Sequence, residues 1–537
     1  MGDTRSILMK LTLKGLVGTC AIVASGVSLS AQAKSDSALN FTESVINAPF
    51  ELTHPIIAAD LLSQPGKELI VFGIDDLNQR WMAIYLLQQG QYQLSHKQAL
   101  PQELHSFDIT EPTDTELQKL YFLSQDKLQL LVNPANTQEW QIETVAKINS
   151  LSFKDRPDFI SRGEFIQDLN GDKRDDILIH DFYQVHLLLA TDQGFQPQEL
   201  PIKPQSRLFE DGATYTQSKL YISDVNLDGL MDIVKIGEGE LEVYKQNKPE
   251  LALANIEQAE ANTDKDSHKE TLTFNPIAEF ISVRQPISGI DWWNKRDAYG
   301  EQLDQSKLVY RKVEELKDLN NDGITDMVIR YTKSSGVFDR VNDYEIYLGE
   351  NQQGKLHFPK QASSVVRAEG TLTGLEFVDI DNDNKDEVLV AGFDIGVSQI
   401  IGALLSGSID QDVHLFKMDA NGRFSEDSNV SKEVELNFSL SSGQAGSPVV
   451  KLADLNGDGF KDLILSDDES SLKIYLGQDG DDLFSRYAQK HELQLPIEGG
   501  MLKTEDLNGD GREDLLIKYG RQDDDDLSNQ FRVLLAS

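Results

Sequence analysis

One short stretch carries acidic and amide side chains at alternate positions. It begins at Asp454, reads DLNGDGFKD, and places Asp, Asn, Asp and Asp at positions 1, 3, 5 and 9. Carboxylates held this close repel one another unless a cation lies between them. Gly457 and Gly459 permit the positive φ values that so tight a turn requires. An irregular set of oxygen ligands suits Ca²⁺ better than Mg²⁺, and the Phe460 carbonyl is a candidate fifth ligand. The stretch predicts a calcium-binding loop.

The pattern repeats along the chain. Five further copies begin at Asp168, Asp224, Asp318, Asp379 and Asp506. Two degenerate copies, which we expect to bind no ion, begin at Asp60 and Asp108. Copies separated by roughly 50–95 residues, with several short strand-like runs in each, indicate a propeller. An EF-hand is excluded because position 12 is an apolar strand residue, such as Leu465, where an EF-hand needs an acid.

The strand-like runs around each loop predict an all-β propeller of four-stranded antiparallel blades. After the loop at Asp506, however, the chain offers only two more strands, at 514–518 and 531–536, so the last blade lacks a fourth. Residues 40–53 supply a spare strand that would complete it and remove two exposed sheet edges. We therefore predict eight blades in a closed ring. A seven-bladed ring is the alternative if one N-terminal unit is not a blade.

Composition excludes some classes of function. The 537 residues carry a formal charge of −39, so a nucleic-acid phosphate backbone would be repelled. The hydrophobic content of 39% is sufficient for cores between blades. Beyond the N-terminus, no apolar run approaches the roughly 20 residues that a membrane helix needs, so we expect no transmembrane segment in the mature chain.

The N-terminus has the features of a signal peptide. Three basic residues precede an apolar stretch at 16–29, and Ala-Gln-Ala at 31–33 is a small-x-small cleavage site. We predict a signal peptide at 1–33 and export to the periplasm, the cell surface or the medium. The single cysteine, Cys20, lies inside this segment, so the mature propeller at 34–537 can form no disulfide. Calcium would be its cross-link.

These loops and strands resemble the FG-GAP/VCBS repeat family, whose calcium-loop propellers occur in integrin α-subunit heads and in secreted bacterial proteins. The resemblance covers roughly residues 40–537. It implies up to six Ca²⁺ ions bound through positions 1, 3, 5 and 9. The implied ligands are Asp168, Asn170, Asp172, Asp176, Asp224, Asn226, Asp228, Asp232, Asp318, Asn320, Asp322, Asp326, Asp379, Asp381, Asp383, Glu387, Asp454, Asn456, Asp458, Asp462, Asp506, Asn508, Asp510 and Asp514.

Some residues depart from the family pattern. Lys173 and Asn384 replace glycine at position 6, and Glu387 replaces aspartate at position 9. The chain has no Gly-Ala-Pro triplet, so the bacterial branch fits better than the integrin heads.

Two insertions interrupt the repeats. The acidic segment at 247–271 is weakly patterned, and we assign it no chemistry. A second insertion carries a candidate ligand-binding patch for a glycan or a protein, made of Trp292, Trp293, Lys295, Arg296 and Tyr299. Aromatic rings beside cations suit sugars, acidic polymers and protein hot spots. The alternative is that the tryptophans only pack the insertion onto the ring. We place this patch opposite the calcium loops, over the fourth to sixth units.

Two function classes fit this sequence. The favoured class is a non-catalytic binding or adhesion propeller for a protein or glycan ligand. The other is a calcium-dependent polysaccharide lyase, for which Lys295, Arg296 and Tyr299 are the clustered candidate bases. No nucleophile elbow, HExxH motif or phosphate-binding glycine loop is present, so no catalytic residue is assigned.

Overall fold

Antiparallel hairpins dominate the computed structural model. It describes residues 38–113, 116–133, 140–148, 160–181, 183–203, 205–209, 212–216, 219–247, 273–292, 301, 304, 308–336, 339–368, 371–393, 408–439, 444–468 and 470–537. The predicted signal peptide at 1–33 lies outside these residues, as does all but Asn247 of the acidic insertion. Within them there is no α-helix, and hence no helix able to cross a membrane; two 3₁₀ turns occur at Gly499–Met501 and Asp525–Leu527.

The described strands form eight antiparallel blades in a ring, which confirms the eight-bladed prediction over the seven-bladed alternative. Each blade holds four strands that run in chain order from the axis outward, apart from the last blade. The first strand of blade 1 is interrupted at Pro55, and a short strand, β11, is added on the axial side of blade 2.

The first four blades and their accessory strands have these bounds. Blade 1 comprises β2 (Glu51–Leu52), β3 (Ile57–Ala59), β4 (Glu68–Ile74), β5 (Arg80–Gln88) and β6 (Gln91–Ala99). Blade 2 comprises β7 (Ser106–Ile109), β8 (Leu120–Leu123), β9 (Lys127–Val132), β10 (Gln141–Lys147) and β11 (Ser161–Arg162). Blade 3 comprises β12 (Ile166–Gln167), β13 (Asp176–His180), β14 (Val185–Thr191) and β15 (Gly194–Leu200), followed by a hairpin of β16 (Gln205–Phe209) and β17 (Gly212–Thr216). Blade 4 comprises β18 (Leu220–Ser223), β19 (Asp232–Ile236), β20 (Glu240–Tyr244) and β21 (Glu279–Ser282).

The other four blades close the ring. Blade 5 comprises β22 (Leu308–Lys317), β23 (Asp326–Gly336), β24 (Asp339–Tyr347) and β27 (Ser364–Val366), with a hairpin of β25 (Glu350–Asn351) and β26 (Leu356–His357) before its last strand. Blade 6 comprises β28 (Thr371–Val378), β29 (Glu387–Phe393), β30 (Ser408–Phe416) and β31 (Val430–Ser439), extended by β32 (Gln444–Ala445). Blade 7 comprises β33 (Val450–Ala453), β34 (Asp462–Asp468), β35 (Ser471–Tyr475) and β36 (Gln489–Glu492). Blade 8 comprises β37 (Leu502–Glu505), β38 (Asp514–Lys518), β39 (Gln530–Ala536) and β1 (Phe41–Asn47).

The two ends of the chain complete blade 8, as predicted. β1 pairs antiparallel with β39 from Phe41 opposite Ala536 to Asn47 opposite Gln530. An ion pair between Arg532 and Glu43 adds a side-chain link across the same seam. The ring is therefore closed by backbone hydrogen bonds rather than by a disulfide or a separate clasp.

The core lies between neighbouring blades. One cluster joins Ile464 and Ile474 of blade 7 to Leu515 and Leu534 of blade 8, and each of these side chains is at most 1% exposed. The second strands contribute the continuous apolar runs that the repeats predict, because both of their faces meet another blade. Each blade thus depends on its neighbours for burial of its apolar faces.

The first strand of every blade ends one residue before a loop, and the second strand follows that loop. We call the side of the ring that carries these turns the loop face. The side that carries the turns between second and third strands and the links between blades is the far face. All six predicted calcium loops therefore lie on one side of the ring.

The second degenerate loop is displaced from its predicted start. Asp108 lies inside β7 and is 5% exposed, and its carboxylate accepts hydrogen bonds from the backbone N–H groups of Phe165 and Ile166. The turn itself begins at Thr110, directly after the strand. The start at Asp108 was wrong because this aspartate joins blade 2 to blade 3 and is no part of a loop.

One buried imidazole should make stability depend on pH. His54 packs edge-on against Phe72 and Phe107, and burial lowers its pKa from 6.5 to about 4. Between these values the unfolded chain binds a proton that the folded chain does not, so stability is lost as pH falls from about 6.5 towards 4. We expect His54→Gln to reduce the difference in melting temperature between pH 7 and pH 5, measured by calorimetry.

His96, on the outer strand β6 of the same blade, provides the control. His96→Gln should leave the pH dependence unchanged. A His54→Gln variant with the same pH dependence as the parent would contradict the assignment.

Candidate functional site

The six loops share one backbone conformation. Positions 4 and 6 both have positive φ in every loop, with Gly457 at 70° and Gly459 at 93° in the clearest copy. Lys173 and Asn384 adopt φ values of 65° and 64° at position 6, although side chains rarely enter this region. The two departures from glycine therefore keep the shape of the loop.

The first acid of each loop organises the turn. In the clearest copy, Asp454 Oδ1 accepts hydrogen bonds from the N–H groups of Gly457 and Asp458, at 2.7 and 3.1 Å, and Oδ2 accepts from Gly459 N–H at 2.8 Å. Corresponding bonds to positions 5 and 6 are made by Asp168, Asp224, Asp318, Asp379 and Asp506. The backbone is thus wrapped around the carboxylate at position 1.

The acid at position 9 is buried in each loop. Asp462 is 0% exposed, and its two oxygens accept backbone N–H bonds from Leu455 at 3.0 Å and from Gly477 at 2.7 Å. Burial, together with the charges of Asp458 and Asp454, raises the pKa of this carboxyl to about 7. The same causes raise the pKa at Asp176, Asp232, Asp326, Glu387 and Asp514. A nearby cation would offset this cost.

The loop at Asp379 differs from the other five. Asp379, Asp381 and Glu387 bring one oxygen each within 4.8 Å of the others, the only such acidic group among the residues described. Asp381 Oδ1 and Glu387 Oε1 are buried without a hydrogen-bond partner. The five other loops have Asn at position 3, and their position-9 Asp bonds through both oxygens. Lys417 pairs with Asp381 through Oδ2 and supplies one positive charge there.

The first degenerate loop keeps the hydrogen bonds to its position-9 acid but has fewer acidic residues than the six predicted calcium loops. Glu68 stands at position 9 and is 0% exposed, and it accepts N–H bonds from Leu61 and Leu62 as its counterparts do from position 2. The Gln64 amide donates to its other oxygen at 2.9 Å, in the place of a further acid. That this loop binds no ion stays a prediction.

Neighbouring loops are hydrogen-bonded to each other. A backbone N–H at position 8 donates to a carbonyl of the preceding loop from Lys461 to Ile380, from Glu513 to Asp454 and, across the closure, from Lys67 to Leu507, at 2.8–2.9 Å. Lys461 and Glu513 also form an ion pair at 2.6 Å. The conformation of one loop is therefore coupled directly to that of the next.

The predicted ligand-binding patch falls mostly outside the described residues. Trp293, Lys295, Arg296 and Tyr299 are outside, and only Trp292 is described. The Trp292 side chain is 4% exposed, whereas an aromatic platform for a ligand must be open to solvent. Trp292 is therefore a packing residue. This agrees with the alternative prediction, in which the tryptophans only pack the insertion onto the ring.

A groove of about 700 Å³ opens on the far face between blades 7 and 8. It is formed by the links before β33 and β37 and by the turns after β34 and β38, which all lie on the far face, together with Glu435 of β31. Its lining combines apolar residues such as Leu495 and Ile497 with acidic and other polar ones, which include Ser447, Asp467, Ser470, Gln494 and Asp524. The sequence offered no local signal for this groove, because its walls come from three blades and the two links between them.

A family model described as the FG-GAP-like repeat matches residues 318–390 and 454–517, which confirms the predicted resemblance there. A search of curated proteins found no match. Solved structures that resemble the chain include an Agrocybe aegerita lectin described as recognising non-reducing terminal N-acetylglucosamine, with 14% identity over 87% of this chain and 96% of that one and a TM-score of 0.36. The WD40 domain of SCAP from fission yeast has 9% identity over 92% and 98%, with a TM-score of 0.34.

Proposed function

We propose that this propeller, which carries FG-GAP-like repeats, is an exported, calcium-stabilised binding module that recognises a protein or glycan outside the cytoplasm and catalyses no reaction. The calcium assignment rests above all on the loop at Asp379. There, three carboxylates converge and two of their buried oxygens have no hydrogen-bond partner. Buried polar atoms normally have a partner, and a cation would serve these two.

The residues of all six loops fit a hard divalent cation. Each loop offers carboxylate and amide oxygens and no nitrogen or sulfur ligand, the donor set that Ca²⁺ prefers. When bound, the ion would supply positive charge at the centre of the turn. The hydrogen bonds from the backbone to position 1 hold the loop curled, and those to position 9 join it to the blade. The role of the ion is thus structural, and the chain's own residues provide the binding surface.

The binding role rests on the far-face groove. A volume of about 700 Å³ accommodates a short oligosaccharide or a peptide segment. Its hydroxyl, amide and carboxylate groups can donate to and accept from the hydroxyl groups of a sugar, and its acids suit a basic side chain. Binding sites are commonly built from loops on a rigid scaffold, as this groove is.

The calcium assignment at one loop can be tested with a near-isosteric change. Glu387→Gln keeps the size of the side chain but removes the charge of the buried carboxylate. We expect calorimetric titration to count one Ca²⁺ fewer per chain, because one loop loses a charged ligand. Asp458→Ala should have the same effect at the loop of blade 7. Asp481→Ala, at an exposed turn outside the loops, is the control. An unchanged count in both loop variants would contradict the assignment.

The binding role is tested with glycan and protein arrays. We expect the parent to bind a defined ligand and Asp524→Lys to lose most of that binding, because it reverses a charge at the groove. The melting temperature in calcium should not change, since Asp524 is exposed. Uronic-acid polymers should give no rise in ultraviolet absorbance, as unsaturated lyase products would. Such a rise, or full binding by Asp524→Lys, would overturn this part of the proposal.

A further inference from the structure

Three cations near the ring axis have no acidic partner within ion-pair distance. They are Lys451 on β33, Lys503 on β37 and Arg162 on β11, and none of them forms a salt bridge among the described residues. The chain has 89 acidic and 50 basic residues, so most cations can find a partner readily. Unpaired cations at equivalent places in such an acidic protein call for an explanation.

The strand register places the three at one level. Lys451 and Lys503 each stand three residues before the loop of their blade, on first strands that lie in contact. Arg162 is aligned with Phe107 by the parallel pairing of β11 with β7. Phe107 also stands three residues before its turn, at Thr110. At about 3.3 Å per residue, all three lie roughly 10 Å from the loop face, along the axis.

Electrostatic coupling supports this convergence. Burial lowers the pKa of Lys503, and the charges of Lys451 and Arg162 lower it further. Glu376, which has the same register on β28 of blade 6, acts in the opposite sense. Asp108 on β7 is also coupled to Arg162, and Glu315, which has the same register on β22, is paired with Lys219. Three positive charges thus face two carboxylates that form no salt bridge among the described residues, and the charge at this level remains net positive.

We propose that Lys451, Lys503 and Arg162 form an axial site for a multivalent oxyanion, phosphate or sulfate, either free or as the terminal group of a larger ligand. Lysine supplies a compact charge, and arginine offers a planar fork that matches two oxygens of such an anion. The site is separate from the calcium loops and from the far-face groove, because its residues belong to first strands and to β11. It does not depend on the proposed function.

The test compares melting temperatures in sodium sulfate and in sodium chloride at equal, millimolar ionic strength, with calcium present, because at higher concentrations sulfate stabilises folded proteins in general. We expect sulfate to raise the melting temperature of the parent beyond chloride. The double variant Lys451→Gln/Lys503→Gln should lose this difference and bind sulfate at least tenfold more weakly by calorimetry. Lys355→Gln, at an exposed hairpin, is the control and should behave as the parent. The proposal would be overturned if the parent melted at the same temperature in chloride as in sulfate, or if sulfate still raised the melting temperature of the double variant beyond chloride.

A second readout separates the site from a general loss of stability. Without sulfate, Lys503→Gln should melt at or above the temperature of the parent, because it removes repulsion from Lys451 and Arg162. Lys503→Arg should restore the sulfate response. Repeating the titration with a sulfated monosaccharide and its unsulfated parent identifies the source of the anion. Binding of free sulfate alone indicates an inorganic ion, and tighter binding of the sulfated sugar indicates a terminal group.

Discussion

Removal of calcium should lower the melting temperature by roughly 10–20 °C. Each site held at 100 times its Kd adds about 2.7 kcal/mol to the free energy of unfolding. Six such loops would add about 16 kcal/mol, which is as large as the whole stability of an ordinary domain. Without the cation, buried carboxylates such as Asp462 lie beside the like charges of Asp454 and Asp458. The predicted mature chain has no cysteine, and hence no disulfide to compensate.

Calorimetry of the parent in excess calcium and in excess chelator provides the measurement. Magnesium at the same concentration is the control, and it should restore little of the loss because its octahedral geometry tolerates these irregular loops poorly. Superimposed melting curves in calcium and in chelator would contradict the structural role of calcium. That result would not depend on which ligand the groove binds.

The second large effect is expected from the closing strand. A variant that begins at residue 48 lacks β1, so it leaves the whole hydrogen-bonding edge of β39 unpaired. It also loses the partly buried side chains of Phe41 and Ile46, which pack against the cores of blade 8 and of the neighbouring blades. Exposed, regular edges of this kind pair with other chains. We expect a lower melting temperature and concentration-dependent aggregation, measured by calorimetry and light scattering.

The control is a variant that begins at residue 38, which keeps β1 entire and should melt as the mature chain does. A synthetic peptide of residues 38–48, added to the shortened protein, should restore part of the melting temperature because it can refill the vacant edge. Equal stability of the two shortened variants would show that the seam contributes little.

The local sequence repeats were enough to predict the fold but not the binding site. The loops could be found because positions 1, 3, 5 and 9 lie within nine residues, and the following strand needs only an apolar run. Closure was predictable by counting strands. The start at Asp108 was wrong because a buried aspartate that bonds to Phe165 and Ile166 has the same letter as a loop aspartate.

Features that assemble across blades were missed. The sequence left packing of Trp292 open as an alternative but could not decide for it, because the burial of Trp292 depends on what packs against it. The far-face groove is built from three blades and the links between them. The axial cations did leave a trace, since lysine stands three residues before the loop in both KLAD at 451 and KTED at 503. This repeated lysine indicates a cluster of cations only once the structure shows that the two strands lie side by side in the ring.

The seam between β1 and β39 also has a consequence for the order of folding. Glu43 and Arg532, which face each other there, are separated by 489 residues. Bringing such distant segments together from an unfolded chain would cost about 5 kcal/mol in loop-closure entropy. Once the intervening blades have packed against one another, β1 and β39 already lie side by side. Most of the loop-closure entropy has then been lost in the earlier steps. The seam should therefore form last, and refolding should show a slow final step that mutations in β1 retard and mutations in blade 4 do not.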